Sequence, residues 1–200
     1  MKKVIFLLLF PLIAEVVVSC CGCVGTLTFR YSNQSITVRQ LDNSGTQPAE
    51  SQADTVRKTA YGVRVFLKRE RLACLQKRPS LFISSAYALS CGCEPASSYL
   101  AKDSIQAIHI ITTNAFDNTH PAGSDISPYF KVFHNYTLSL LSDYVKDWRP
   151  TLFEEADLQP SQDILLMTPP TLGPEHSFKV QYHLSDGRIL ESTTPSVKLL

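Results

Sequence analysis

Two hundred residues, 44% of them hydrophobic, suffice for one ordinary domain and leave little room for a second. Taking Lys2, Lys3 and Glu15 of an amino-terminal leader from the 19 basic and 18 acidic side chains leaves 17 of each. The remainder therefore has no general field to draw it onto nucleic acid. Twelve prolines against eight glycines, scattered along the chain, suit a loop-rich fold and argue against a disordered one.

Lys2-Lys3 form a positive n-region, and Val4 to Ala14 run without a charge. That is long enough for the apolar part of a signal sequence and too short to span a bilayer. Glu15 interrupts the apolar segment and Pro11 would kink it, which argues against a retained transmembrane helix. Val17-Val18-Ser19-Cys20 resembles the lipobox of bacterial lipoproteins, with an aliphatic residue and small ones before the modified cysteine. The resemblance implies a leader over residues 1–19, lipid attachment at Cys20 and a short cysteine-rich tether over 20–25. Two or three acyl chains at about 0.8 kcal/mol per buried methylene anchor firmly where one does not. Residue 21 is not Asp, which in the lipoprotein sorting rule favours the outer membrane. The expected location is thus the bacterial cell envelope.

The expected domain covers residues 26–200. Leu27, Phe29 and Tyr31 alternate with Thr26, Thr28 and Arg30; Asn33-Gln34 suggests a turn, and Ile36, Val38 and Gln40 resume the pattern. This reads as two short strands of a hairpin. Leu41 to Asp54 is polar and reads as a surface loop. Thr59 to Lys68 alternates again, with Tyr61, Val63, Val65 and Leu67 against Gly62, Arg64, Phe66 and Lys68. Six basic side chains between Arg64 and Arg78 read as a solvated strand end, with anionic headgroups or acidic glycans as the alternative ligand. Ser80 to Ser90 reads as a strand ended by Cys91-Gly92-Cys93.

Ser104 to Thr113 predicts a buried strand, with His109 inside it as a hydrogen-bonded core side chain. Asn114 to Pro128 is turn-rich. Tyr136 to Arg149 predicts a helix: Leu138, Leu141, Tyr144 or Val145, and Trp148 share one face, and Pro150 stops it. Ile164 to Met167 is a short apolar run. Phe178, Val180, Tyr182 and Leu184 alternate up to the hairpin signal Asp186-Gly187. A three-residue loop ending in Gly187 would place Tyr182 opposite Leu190 and keep Glu191 off the apolar face. Val197 and Leu199 extend the last strand. The fold class that follows is mainly β, an Ig-like or related sandwich with one packed helix. An α+β fold with a single antiparallel sheet is the alternative.

Chemistry is sparsely encoded. With Cys20 lipidated, Cys21, Cys23, Cys74, Cys91 and Cys93 remain, and an oxidising envelope makes disulfides the leading expectation. The pairs Cys21/Cys23 and Cys91/Cys93 leave zinc, copper(I) or thiol redox chemistry as the alternative, although common zinc modules space their cysteines more widely. Asp117, Asn118 and Asp125 offer oxygens for a hard cation, but Asx turns and a helix cap at Asp125 or Ser127 account for the same residues. Neither Gly-x-Ser-x-Gly nor His-Glu-x-x-His nor a phosphate-binding glycine loop occurs. No catalytic residue, metal ligand set or cofactor is therefore expected. Asn135-Tyr136-Thr137 fits the eukaryotic glycosylation pattern, which a bacterial leader makes irrelevant.

The lipobox, the early Cys-Cys-x-Cys, Leu41-Asp42-Asn43, Ala60-Tyr61-Gly62-Val63-Arg64, the Thr119 to Asp125 loop and Ser185-Asp186-Gly187-Arg188 together resemble an uncharacterised lipoprotein family of Bacteroides-type bacteria. That resemblance implies localisation and carries no activity. The expected function is a membrane-tethered, non-enzymatic binding or scaffolding domain. Its expected contacts are the membrane through the anchor and an envelope protein or glycan.

Overall fold

The computed structural model describes residues 27–74, 97–148, 151–152 and 160–200. Cys20, Cys21, Cys23, Cys91, Cys93 and the strand expected over Ser80 to Ser90 lie outside these residues. Cys74 is described as backbone only.

Two strands form the spine. β1 (Leu27–Asp42) and β4 (Tyr61–Cys74) pair antiparallel along nearly their whole lengths. The hairpin expected around Asn33-Gln34 is instead one continuous strand with a register shift between Asn33 and Ser35. The apolar pattern changes phase there, from Phe29 and Tyr31 to Ile36 and Val38. A turn and a bulge both produce that change in sequence, and the extra residue of a bulge keeps the ladder running.

Beside β1 lie β2 (Ala49–Glu50) and β5 (Ser97–Ala101), and β9 (Thr151–Leu152) follows β5. Beside β4 lies β10 (Ser161–Leu166), followed by β7 (Phe130–His134) and β8 (Thr137–Leu140). The order β8-β7-β10-β4-β1-β5-β9, with β2 on β1, makes an eight-stranded sheet. A second sheet runs β13-β12-β6 from β6 (Ile105–Thr112), β12 (Phe178–Leu184) and β13 (Ile189–Thr193).

The two sheets face each other across the core. Tyr61, Val63, Val65 and Leu67 of β4, Val132 of β7 and Ile164 of β10 meet Ile108 and Ile110 of β6 and Phe178, Val180 and Tyr182 of β12. Phe178 lies 5.3 Å from Tyr61 and 5.6 Å from Phe130, ring centre to ring centre. The protein is thus mainly β and sandwich-like. Alternation with period two delivers one apolar face from each sheet, and burying both is what holds them together. Gly62 is required where β10 crosses, because a Cβ there would stand 2.7 Å from Leu165 Cδ2 and 2.9 Å from the Ile164 carbonyl.

The β12–β13 hairpin has the expected register, Tyr182 opposite Leu190 and Gln181 opposite Glu191, with Gly187 at a φ of 85°. Val197 and Leu199 do not extend that hairpin. They belong to β14 (Val197–Leu199), which joins β11 (Glu175–His176) and β3 (Thr55–Val56) in a small third sheet.

The helix is shorter than its sequence pattern. Tyr136 to Leu140 turns into and forms β8, and α1 covers only Leu141–Lys146. Leu138 is exposed as a result, while Leu141 enters the core and Tyr144, Val145 and Trp148 pack against it. The reason is local. Asn135 and Tyr136 hold φ of 49° and 59°, a two-residue turn of the I′ kind that matches the twist of β7 and β8 and cannot begin a right-handed helix.

Candidate functional site

Two acid–arginine assemblies stand out. The first is buried. Asp103, between β5 and β6, is fully enclosed. One carboxylate oxygen accepts the Asn33 backbone N–H at 2.9 Å and its side-chain amide at 2.8 Å. The other accepts the Ser32 hydroxyl at 2.6 Å and Arg188 Nη2 at 2.6 Å. Asn33 in turn accepts from Arg69 Nε at 3.2 Å, and the Arg69 guanidinium lies 5.1 Å from the Tyr31 ring and 5.9 Å from that of Trp148. Burial pushes the Tyr31 hydroxyl up to about 12 against the opposing pull of Arg69. Four bonds saturate a carboxylate, so this knot has nothing left with which to hold a ligand. It ties β1, β4, the β5–β6 turn and the β12–β13 hairpin together.

The second assembly opens to solvent. Pleating places Arg39, Arg64, Asp163, Phe133 and Leu138 in one row across β1, β4, β10, β7 and β8, on the side of the sheet turned from the core. Arg64 grips Asp163 with two bonds, Nε to Oδ1 at 2.6 Å and Nη2 to Oδ2 at 2.8 Å. Glu50 of β2 pairs with Arg39 at 2.6 Å and sits 3.6 Å from Arg64. The hydrogen bond from Arg39 holds the Glu50 carboxyl below its ordinary range.

Between this ion-pair row and the β7–β8 turn lies a cavity of about 280 Å³, lined by Gln47, Pro48, Arg64, Phe133, His134, Asn135, Tyr136, Ser161, Gln162 and Asp163. Tyr136 is 83% exposed, and its ring stands edge to face with Phe133 at 6.4 Å. The I′ turn sets its positive φ, and no core packing accounts for an aromatic side chain at that exposed position. Among the described residues, Asp163 accepts only the two Arg64 bonds, and the side chains of Gln47, His134 and Asn135 make no hydrogen bond at all. The site therefore combines an exposed aromatic wall with several uncommitted planar polar groups. A second depression of about 710 Å³, on the Val38 to Gln40 side of β2 and reaching Pro195 and Ser196, has no aromatic wall.

The residues singled out by sequence resolve as follows. His109 is hydrogen-bonded, its Nδ1 2.6 Å from Asp125 Oδ2, but it is 38% exposed and not in the core. The Asp117 to Asp125 loop consists of Asx turns: Asp117 Oδ1 accepts the Thr119 and His120 N–H groups, and Asp125 Oδ1 accepts that of Ser127. Asp117 and the Thr119 hydroxyl both reach the same nitrogen of His120, Nδ1, so the three form no proton relay. Of the basic run, Arg64 lies on the groove and Arg69 in the buried knot, while Lys77 and Arg78 lie outside the described residues. Tyr136 and Asp163 carried no signal as site residues. Only the Asn at 135, which tolerates positive φ, marked the turn.

A family model described as "Domain of unknown function (DUF5034)" matches residues 33–195. No curated protein matches the chain. Two solved structures, named BspA_C_mut and BspA_C_WT, are 11% identical to it, with TM-scores of 0.28 and 0.27. Each match covers 81% of this chain but only 46% and 50% of the other, so the chain spans about half the length of the structures it matches.

Proposed function

Because this chain belongs to the DUF5034 family, whose description assigns no activity, we propose its function from its own surface: a membrane-tethered, non-enzymatic binding domain of the bacterial cell envelope that takes a glycan in the Arg64–Asp163–Tyr136 groove. The observation that carries this reading is the exposed Tyr136 ring, standing beside the unpaired Gln47, His134 and Asn135 side chains and the Arg64-paired Asp163 carboxylate. A sugar ring has one apolar C–H face and a rim of hydroxyls. An aromatic wall takes the first, and planar donors and acceptors at the groove edge take the second. The Arg64–Asp163 fork presents a preoriented carboxylate without a net local charge, which suits a neutral ligand.

The tether rests on Lys2-Lys3, the apolar run and Val17-Val18-Ser19-Cys20, with an outer-membrane destination. Affinity electrophoresis of the lipid-free domain against a panel of bacterial and host polysaccharides tests the ligand. Retention by at least one polysaccharide, abolished by Tyr136→Ala with the fold intact, is the expected result. Equal retention of the variant, or none for the parent on any gel, defeats the groove reading. Separately, Cys20→Ala should move the full chain from the membrane to the soluble fraction, and a variant that stays membrane-bound and matures normally defeats the anchor.

A further inference from the structure

The outer face of the second sheet, β13-β12-β6, carries a second chemistry, independent of the groove. His109 of β6 stands opposite Gln181 of β12, and His183 lies two residues further along the same face. Their rings are in edge-to-face contact, centres 4.8 Å apart and planes 64° to each other. Both are partly exposed.

His109 is held from behind. Its Nδ1 bonds Asp125 Oδ2 at 2.6 Å, and Asp125 is fixed in turn by the Ser127 N–H at 2.8 Å and the Ser127 hydroxyl. With Nδ1 taken by the Asp125 carboxylate, Nε2 is the ring nitrogen left to a ligand. Carboxylates orient metal-binding histidines in this way.

The ring separation fits a shared ion. An imidazole that binds zinc at about 2.0–2.1 Å has its ring centre about 3.2 Å from the metal, so two such rings at angles between square and tetrahedral have centres about 4.5–5.2 Å apart. The observed 4.8 Å falls inside that interval. With His109 held by Asp125, rotation of the His183 ring about χ2, which barely moves its centre, is the free adjustment that can bring its nitrogen to the shared ion.

We propose that His109 and His183 form a surface site for a divalent transition metal of the zinc and copper(II) class, with Asp125 as the outer carboxylate that orients His109. Imidazole nitrogen selects this class over calcium or magnesium. Among the described residues no group of three or more His, Cys, Asp or Glu side chains could hold a metal ion. The described residues therefore supply two ligands, and the remaining positions go to water or to a group on a partner.

The test uses the lipid-free domain with its free thiols alkylated, so that sulfur cannot hold the ion. Titration with Zn²⁺ followed by calorimetry should show one ion per chain, and Cu²⁺ should bind more tightly, as the divalent series predicts. His109→Ala and His183→Ala should each abolish binding. Asp125→Asn should weaken it by about 10–100-fold while leaving one ion per chain. Paramagnetic Cu²⁺ should broaden the imidazole proton signals of His109 and His183 ahead of those of His134 and His176. A parent protein that binds neither ion, a His183→Ala variant that binds as the parent does, or broadening centred on other histidines overturns the proposal.

Discussion

Asp103 and Asp163 are both aspartates gripped by an arginine at 2.6 Å, and they serve opposite ends. Asp103 is wholly enclosed and accepts four hydrogen bonds from three residues. Asp163 keeps 13% of its side chain accessible and accepts two. A carboxylate out of water must fill every acceptor site, because an unmet one costs about 1–3 kcal/mol, and more for a charged group. Once filled, it cannot recognise anything. The half-filled Asp163 stays near water, where an unused lone pair costs little, and it remains free to meet a ligand hydroxyl. Saturation marks a structural knot and incompleteness marks a site.

That contrast can be broken by mutation. Asp103→Ala leaves the Ser32 hydroxyl and the Asn33 backbone N–H without their acceptor, while Arg188 keeps Asp186 and the Asn33 carbonyl, and should lower stability by about 1–3 kcal/mol, read as the shift of a urea unfolding midpoint. Asp163→Ala should cost far less, since Arg64 retains Glu50 and solvent, and its effect should fall on ligand binding. Equal losses of stability for the two variants would remove the distinction. Gly62→Ala probes the sheet beneath the groove. Its Cβ meets the Ile164 carbonyl as well as a movable Leu165 methyl, so β10 must shift, at about 1–3 kcal/mol. Thermal unfolding unchanged within a degree would show that the strands part without strain.

Tyr136 should respond with opposite signs in two measurements. A left-handed conformation disfavours a residue with a Cβ by about 1–2 kcal/mol, a cost glycine does not carry. Tyr136→Gly should therefore raise stability by up to about 1 kcal/mol, after the greater freedom of an unfolded glycine is offset, while removing the aromatic wall and polysaccharide retention. A variant that loses both stability and binding would make Tyr136 a packing residue.

Legibility in the sequence followed the range of the interactions. The alternation in Tyr61 to Lys68 and Phe178 to Leu184 is local, and both strands were readable with their faces. Gly187 even disclosed a cross-strand register, because a positive φ fixes where the hairpin closes. The β7–β8 hairpin was hidden by coincidence: Leu138, Leu141, Val145 and Trp148 fit a helical stripe, and the Asn135-Tyr136 turn lacks the glycine that usually announces one. The groove was unreadable for a deeper reason. Arg64 and Asp163 are 99 residues apart, and neither differs from any other surface charge until β10 is known to lie beside β4. Arg64 looked like part of a basic run for that reason.

The smallest expected effect lies in the Asp117 loop, where a ligand reading and a turn reading competed. The Thr119 hydroxyl, with the His120 ring and two backbone N–H groups, holds the Asp117 carboxyl well below the usual carboxylate range. A carboxylate lowered in the folded state contributes stability that is complete above its unfolded value of about 3.9 and is lost as pH falls through the folded one. Asp117→Asn keeps an acceptor for the turn but removes the titration. The melting temperature of the parent should exceed that of the variant near pH 6, and the gap should narrow as the pH falls below about 4 toward 2. A gap that persists unchanged to pH 2 would mean that the charge contributes nothing, leaving the turn to geometry alone.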